Sequence, residues 1–158
     1  MQSEKLDKLI FKAKHIEPVY GVIKPNELYM VEKELDVNFP FDFKYISLKY
    51  SYEYINFFDT YSFPFGVIEV TKDWRKNIKL PVNYIALGDN GSSTILMKIE
   101  NDINIIWTAL EDVLNICNNQ KFMHNPTIFS SFTDFFEYLL NEEEKMKAEE
   151  AELNKKTN

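Results

Sequence analysis

The sequence predicts a single α+β domain, an antiparallel β-meander with helices packed against it from both the N-terminal and the C-terminal side. Three observations carry that reading. Apolar residues recur at helical spacing near both ends of the chain and at period two in its middle. An Asn-Gly pair, Asn90-Gly91, separates two of the alternating runs. The chain has 158 residues, 45% of them hydrophobic and 15% aromatic, which is the size of one ordinary domain with the material for a core.

Ser3 is placed to cap a first helix in which Leu6, Leu9, Ile10 and Ala13 form one apolar stripe, ending near His15 ahead of Pro18. Pro25 at a first-turn position, with Leu28, Val31 and Leu35 at helical spacing and Glu27 near the positive end of the dipole, predicts a second helix that Pro40 stops. Residues 41–49 predict a third, burying Phe43, Ile46 and Tyr50. Eight aromatic residues between Tyr50 and Phe65 predict a further strand and a loop packed on the core. Pro64-Phe65-Gly66 closes that segment, and residues 68–76 predict a short helix carrying Trp74.

The period then changes to two. Tyr84, Ala86 and Gly88 alternate with Ile85 and Leu87; Ile95, Met97 and Ile99 with Leu96, Lys98 and Glu100; Ile103, Ile105 and Trp107 with Asn104, Ile106 and Thr108. Asn90-Gly91 predicts a two-residue type I′ turn with Gly91 at positive φ, and Asn101-Asp102 the next turn. Residues 109–127 read as a connection with room for one short helix. Ser131, with Asp134 three residues on, starts a last helix in which Phe132, Phe135, Phe136, Leu139 and Leu140 share a face. The stripe fades after Asn141. The domain is therefore expected over residues 1–141, with 142–158 a charged helical tail that frays, supported by Glu143–Lys147 and Glu152–Lys156 pairs.

Charge and composition exclude several classes of function. The formal net charge is −7, and the body between residues 16 and 141 holds 17 acids against 10 bases. Residues 50–70 carry Glu53, Asp59 and Glu69 with no base, and residues 99–120 carry Glu100, Asp102, Glu111 and Asp112 with none. Bases gather instead at Lys72, Arg75, Lys76 and Lys79. A phosphate-binding face needs clustered bases, so direct binding of nucleic acid is not expected, whereas a basic protein partner suits the charge. The first residues lack the apolar core of a signal peptide, and no run approaches the ~18 apolar residues of a membrane span, so a cytoplasmic protein without membrane contact is expected.

Two histidines, His15 and His124, and one cysteine, Cys117, form no metal-ligand spacing, so neither a metal nor an organic cofactor is expected. Cys117 reads as a small hydrophobe on an apolar stripe rather than a nucleophile paired with His124. Gly88-Asp89-Asn90-Gly91-Ser92 lacks the Gly-Lys-Ser/Thr of a phosphate loop and runs from strand to strand. The acid pairs Asp89 with Asp102 and Glu111 with Asp112 read as solvated carboxylates. Some of the tyrosines around residues 50–61 exceed what one strand face buries. Exposed tyrosine among acids, without lysine, has the composition of a protein-binding hot spot. The expected partner-binding residues are Tyr52, Glu53, Tyr54, Asp59, Tyr61, Asp102 and Glu111, and no catalytic residue is expected.

Three blocks, in this order along the chain, resemble a known family: Phe39-Pro40-Phe41-Asp42-Phe43-Lys44-Tyr45-Ile46 after a helix, Leu87-Gly88-Asp89-Asn90-Gly91-Ser92 within the strands, and Ser131-Phe132-Thr133-Asp134-Phe135-Phe136 opening the last helix. Over about residues 20–140 the chain is similar to the SUKH superfamily, which includes fungal cell-wall-assembly regulators and bacterial immunity proteins that neutralise polymorphic toxins, often nucleases. The resemblance implies helices on one antiparallel sheet and a binding role without catalytic residues. It leads to the expectation of an immunity protein that binds a cognate toxin through an acidic, tyrosine-bearing surface; the alternative is a regulatory protein-interaction scaffold of the cell-wall-assembly type.

Overall fold

The computed structural model describes residues 2–16, 22–50, 60–100 and 103–157. Three helices come first: α1 (Gln2–Ile16), α2 (Pro25–Leu35) and α3 (Phe41–Lys49). They are followed by α4 (Phe65–Asn77), the strands β1 (Tyr84–Asp89), β2 (Ser93–Lys98) and β3 (Asn104–Ala109), then α5 (Asp112–Cys117), β4 (Thr127–Phe129) and α6 (Phe132–Thr157). The strands form one antiparallel sheet in the order β1-β2-β3-β4. The α+β meander expected from the sequence is the architecture observed.

Local chemistry explains most boundaries. Pro25 opens α2, and the Glu27 carboxylate accepts from the Lys24 backbone N–H at 2.8 Å, serving one of the unpaired donors of the first turn. Asp36 then takes a left-handed conformation, φ 54°, and ends the helix four residues before Pro40. At the start of α6 the Ser131 hydroxyl oxygen accepts from the Asp134 N–H at 3.0 Å. The Asp134 carboxylate turns to the Ser130 hydroxyl, 2.6 Å away, a bond that holds it below the usual carboxylate range.

The sheet is covered on both faces. Ile85, Leu87, Ile95, Met97 and Ile105 meet the apolar stripes of α1, α2, α3 and α6 in the larger core, where Phe43, Phe132, Phe135, Phe136 and Tyr50 are buried. Ala86, Leu96 and Ile106 meet Leu80, Val113, Val70 and Trp74 in a smaller one. That is why β1 and β2 each bury four consecutive residues where a sheet with one wet face buries every second.

Some elements differ from expectation. The helix around Trp74 starts at Phe65, three residues earlier than its apolar spacing indicated. β4 was not expected; its three residues follow Pro126 and are too few to show a period. The last helix runs on through the tail as expected, but the start of the tail is not fully solvated: Glu143 is still buried and the Lys147 ammonium reaches the backbone carbonyl of Ile16. The hairpin between β1 and β2 has Gly91 at φ 85° as expected, but Asn90 keeps negative φ, so the turn is not type I′. Asn90 N–H donates to Ser93 O at 3.0 Å, which makes Gly91-Ser92 the central pair, and glycine alone in the left-handed region there is the pattern of type II′. The Asn90 side chain decides the outcome: its Oδ1 accepts from the Ser93 N–H at 2.8 Å and from the Ser92 N–H at 3.2 Å.

One residue is inserted in β1. Ala86 pairs with Leu96 and Gly88 with Ile95, so Leu87 bulges, and its carbonyl accepts from the Tyr61 N–H at 2.9 Å. Thr60 bridges Gly88 in the same place.

Candidate binding cleft at the hairpin end of the sheet

Of the seven residues expected to meet a partner, Tyr52, Glu53, Tyr54, Asp59 and Asp102 lie outside the described residues. Tyr61 is half-buried against both apolar clusters, and its hydroxyl donates to Asp89 Oδ2 at 2.5 Å. Burial, with that bond second, pushes the phenol well above its usual value. Glu111 is exposed, one residue ahead of α5. Asp89 and Glu111 both follow from the ends of strands at the hairpin edge, because Ser93 pairs with Ala109 and the Leu110 N–H donates to Ser92 O at 3.0 Å.

The neighbour of Glu111 departs from the sequence reading. Asp112 is not a solvated carboxylate; it is 0% exposed. Its Oδ1 accepts from the Asn115 amide at 2.7 Å and from the Met123 N–H at 2.7 Å, and its Oδ2 from the His124 N–H and ring Nδ1, each at 3.0 Å. Burial raises the carboxyl, but these bonds outweigh it and leave a pKa of about 2. One carboxylate thus fastens the loop after α5 by two backbone N–H groups and a side chain. The sequence held no signal for the pairing beyond the residues themselves, since the loop that closes it spans residues 118–126.

An ionised carboxylate can only accept, so at neutral pH the Nδ1 of His124 carries the proton, and in the neutral ring Nε2 is the free acceptor. His124 lines a cleft of about 350 Å³ on the α6 side of the sheet, with Trp107 and Tyr138 among its walls and Ser92, Ser93 and Thr127 also lining it. The two rings meet edge to face, centroids 6.2 Å apart. The size falls within the range of small-ligand clefts.

A histidine held by an aspartate beside serines invites comparison with a nucleophilic triad, and the hydrogen bonds argue against it. Neither serine hydroxyl is hydrogen-bonded to His124; both lie instead against Asn90 Oδ1, at 3.2 and 3.0 Å. Ser93 Oγ also accepts from the Trp107 indole N–H at 2.9 Å. Cys117 is half-buried beside the smaller core, and burial raises its thiol, the opposite of an activated nucleophile. Among the described residues no cluster of histidine, cysteine and carboxylate could hold a metal ion, and no helix is long and apolar enough to cross a membrane.

The basic cluster has structural work. Lys72 pairs with Glu34, and the guanidinium of Arg75, the single arginine, donates to the carbonyls of Leu35 at 2.8 Å, of Val82 and of Tyr84, tying α4 to the end of α2 and the start of β1. Comparison with protein-family models, with curated proteins and with solved structures gives no match for this chain.

Proposed function

We propose that the chain is an immunity protein of the SUKH type, which binds a basic toxin domain and blocks it without chemistry of its own. The observation that carries this reading is how the three resembling blocks meet in space. The Pro40 block and the Ser131 block join through the buried Asp42 carboxylate, which accepts from Thr133 N–H and Oγ1, and the Gly88–Ser92 block builds the bulge and hairpin of the same sheet. Each block has an architectural role, so the three belong to one fold-defining set and leave the outer surface to a partner. The acidic balance of the body, the exposed Glu111 and the absence of an activated hydroxyl or thiol at the cleft support binding over catalysis.

The test is direct. A toxin domain encoded beside this gene, expressed in a susceptible host, should kill it; co-expression of this chain should restore growth, and the two should elute from size exclusion as one complex. Survival without a complex, or a complex without survival, would overturn the immunity reading, and the latter would favour the scaffold alternative.

A further inference from the structure

We propose that the cleft walled by Trp107 and Tyr138 receives an arginine side chain of the protein partner. This deepens the binding role proposed above and rests on it for the identity of the partner, but the preference for a guanidinium follows from the cleft alone.

Every polar side chain of the lining except the Trp107 indole can accept a hydrogen bond. The Nδ1–H of His124 is committed to Asp112, so in the neutral ring Nε2 keeps its lone pair. The hydroxyl oxygens of Ser92, Ser93, Thr127 and Tyr138 and the Asn125 amide oxygen can each accept as well. The indole N–H of Trp107 is committed to Ser93. The one donor-only group of the lining is thus satisfied inside the protein, and a ligand rich in donors can be met by every other polar group there. No lysine or arginine is among the described residues that line the cleft, and two aromatic rings are. A cation gains from the face of such rings.

Between ammonium and guanidinium, the cleft suits the second. It is open rather than deep, its acceptors are spread over the hairpin, β3 and the loop at residues 124–125, and a planar group with five N–H donors can stack on a ring while reaching several acceptors at once. A lysine offers a compact, strongly hydrated charge that would serve one of them. Charge agrees: the exposed carboxylate of Glu111 follows the lining residue Ala109 by two positions.

The probe is N-acetyl-arginine methylamide, titrated into the intact protein while the indole N–H resonances of Trp107 and Trp74 are followed by NMR. Its uncharged isostere, the citrulline derivative, is the control. The Trp107 signal should shift saturably with a Kd of about 1–10 mM, the citrulline probe should bind at least about tenfold more weakly, and Trp74, packed in the other core, should stay still. Equal binding of the two probes, or an unmoved Trp107 signal, overturns the proposal. Thr127→Lys places a cation on the exposed rim without disturbing the core. It should abolish the arginine shift and weaken the toxin complex at least about tenfold. If arginine binds but no toxin partner is found, the immunity reading fails and the cleft assignment stands. If the toxin binds Thr127→Lys as tightly as the unaltered chain, the cleft assignment fails and the immunity reading stands.

Discussion

Asp42 and Thr133, 91 positions apart, are joined inside the protein: Asp42 Oδ2 accepts from the Thr133 N–H at 2.8 Å and from its hydroxyl at 2.9 Å. The other oxygen accepts from the Phe43 N–H at 2.9 Å. Both N–H groups belong to first turns, of α6 and of α3, where no helical carbonyl is available, so one carboxylate serves two helix starts. Asp42→Ala leaves those donors buried and unpaired, and urea denaturation should show a loss of about 3 kcal/mol; Thr133→Val, which keeps the N–H bond, should lose about 1 kcal/mol.

Gly91 isolates the cost of backbone conformation. Its φ is 85°, and a Cβ built on it would meet nothing within 4 Å, so no steric clash confuses the result. Gly91→Ala should cost roughly 1 kcal/mol and Gly91→Val roughly 2–3 kcal/mol, with Gly91→Asn milder than either, because Asn tolerates the left-handed region. Thermal melts of the three variants read the order, and an unchanged melt for the valine variant would remove the turn assignment.

Acid should unfasten the loop after α5. The Asp112 carboxyl has a folded pKa of about 2 against an ordinary value of 3.8. A depressed value means the folded state favours the ionised form, so its stabilisation is complete above about pH 4 and is lost as pH falls towards 2. The protection of the Met123 and His124 amides against hydrogen exchange, relative to the intrinsic rate at each pH, should fall over that window. Asp112→Asn should be less stable near neutrality and should lose less of its remaining stability between pH 5 and about pH 2 than the unaltered chain does.

Glu111 and Tyr61 should behave differently in a complex. Glu111 is exposed, so Glu111→Gln should slow association with a basic partner at low salt and flatten its salt dependence, with stability unchanged. Tyr61→Phe keeps the packed ring and drops the bond to Asp89, so it should cost about 1 kcal/mol of stability. Stopped-flow association at two ionic strengths, with denaturation curves of both variants, separates the two effects.

The elements visible in the sequence are those whose cause is local. Pro25, the stripe Leu28-Val31-Leu35, the Phe43-Ile46-Tyr50 side of α3 and three alternating runs each act over a few residues, and the structure keeps them. What escaped depends on partners distant in sequence or on spans too short for a period. β4 is held by pairing Ile128 with Ile106, and the Leu87 bulge by Tyr61, 26 positions earlier. Asp112 looked like any surface acid because its four donors come from residues 115, 123 and 124, which no spacing rule connects to it. The cleft was illegible for the same reason: Ser93, Trp107, His124 and Tyr138 become neighbours only once the sheet, the loop and α6 are assembled.

The bulge in β1 has a consequence for how the molecule tolerates its own neighbours. A strand at the margin of a sheet ordinarily invites a second chain to zip onto it. Here the margin of β1 is already spoken for by groups that are not strands: Arg75 on the carbonyl of Tyr84 at 3.4 Å, the Thr71 hydroxyl accepting from the Ala86 N–H at 3.1 Å, and Tyr61 on the carbonyl of the bulged Leu87. The opposite margin is three residues long and preceded by a proline that can donate nothing. Among the described residues, neither margin offers a second copy of this chain a long run of free rungs. Thr71→Val leaves the buried Ala86 N–H without its acceptor and should cost about 1–3 kcal/mol in urea denaturation.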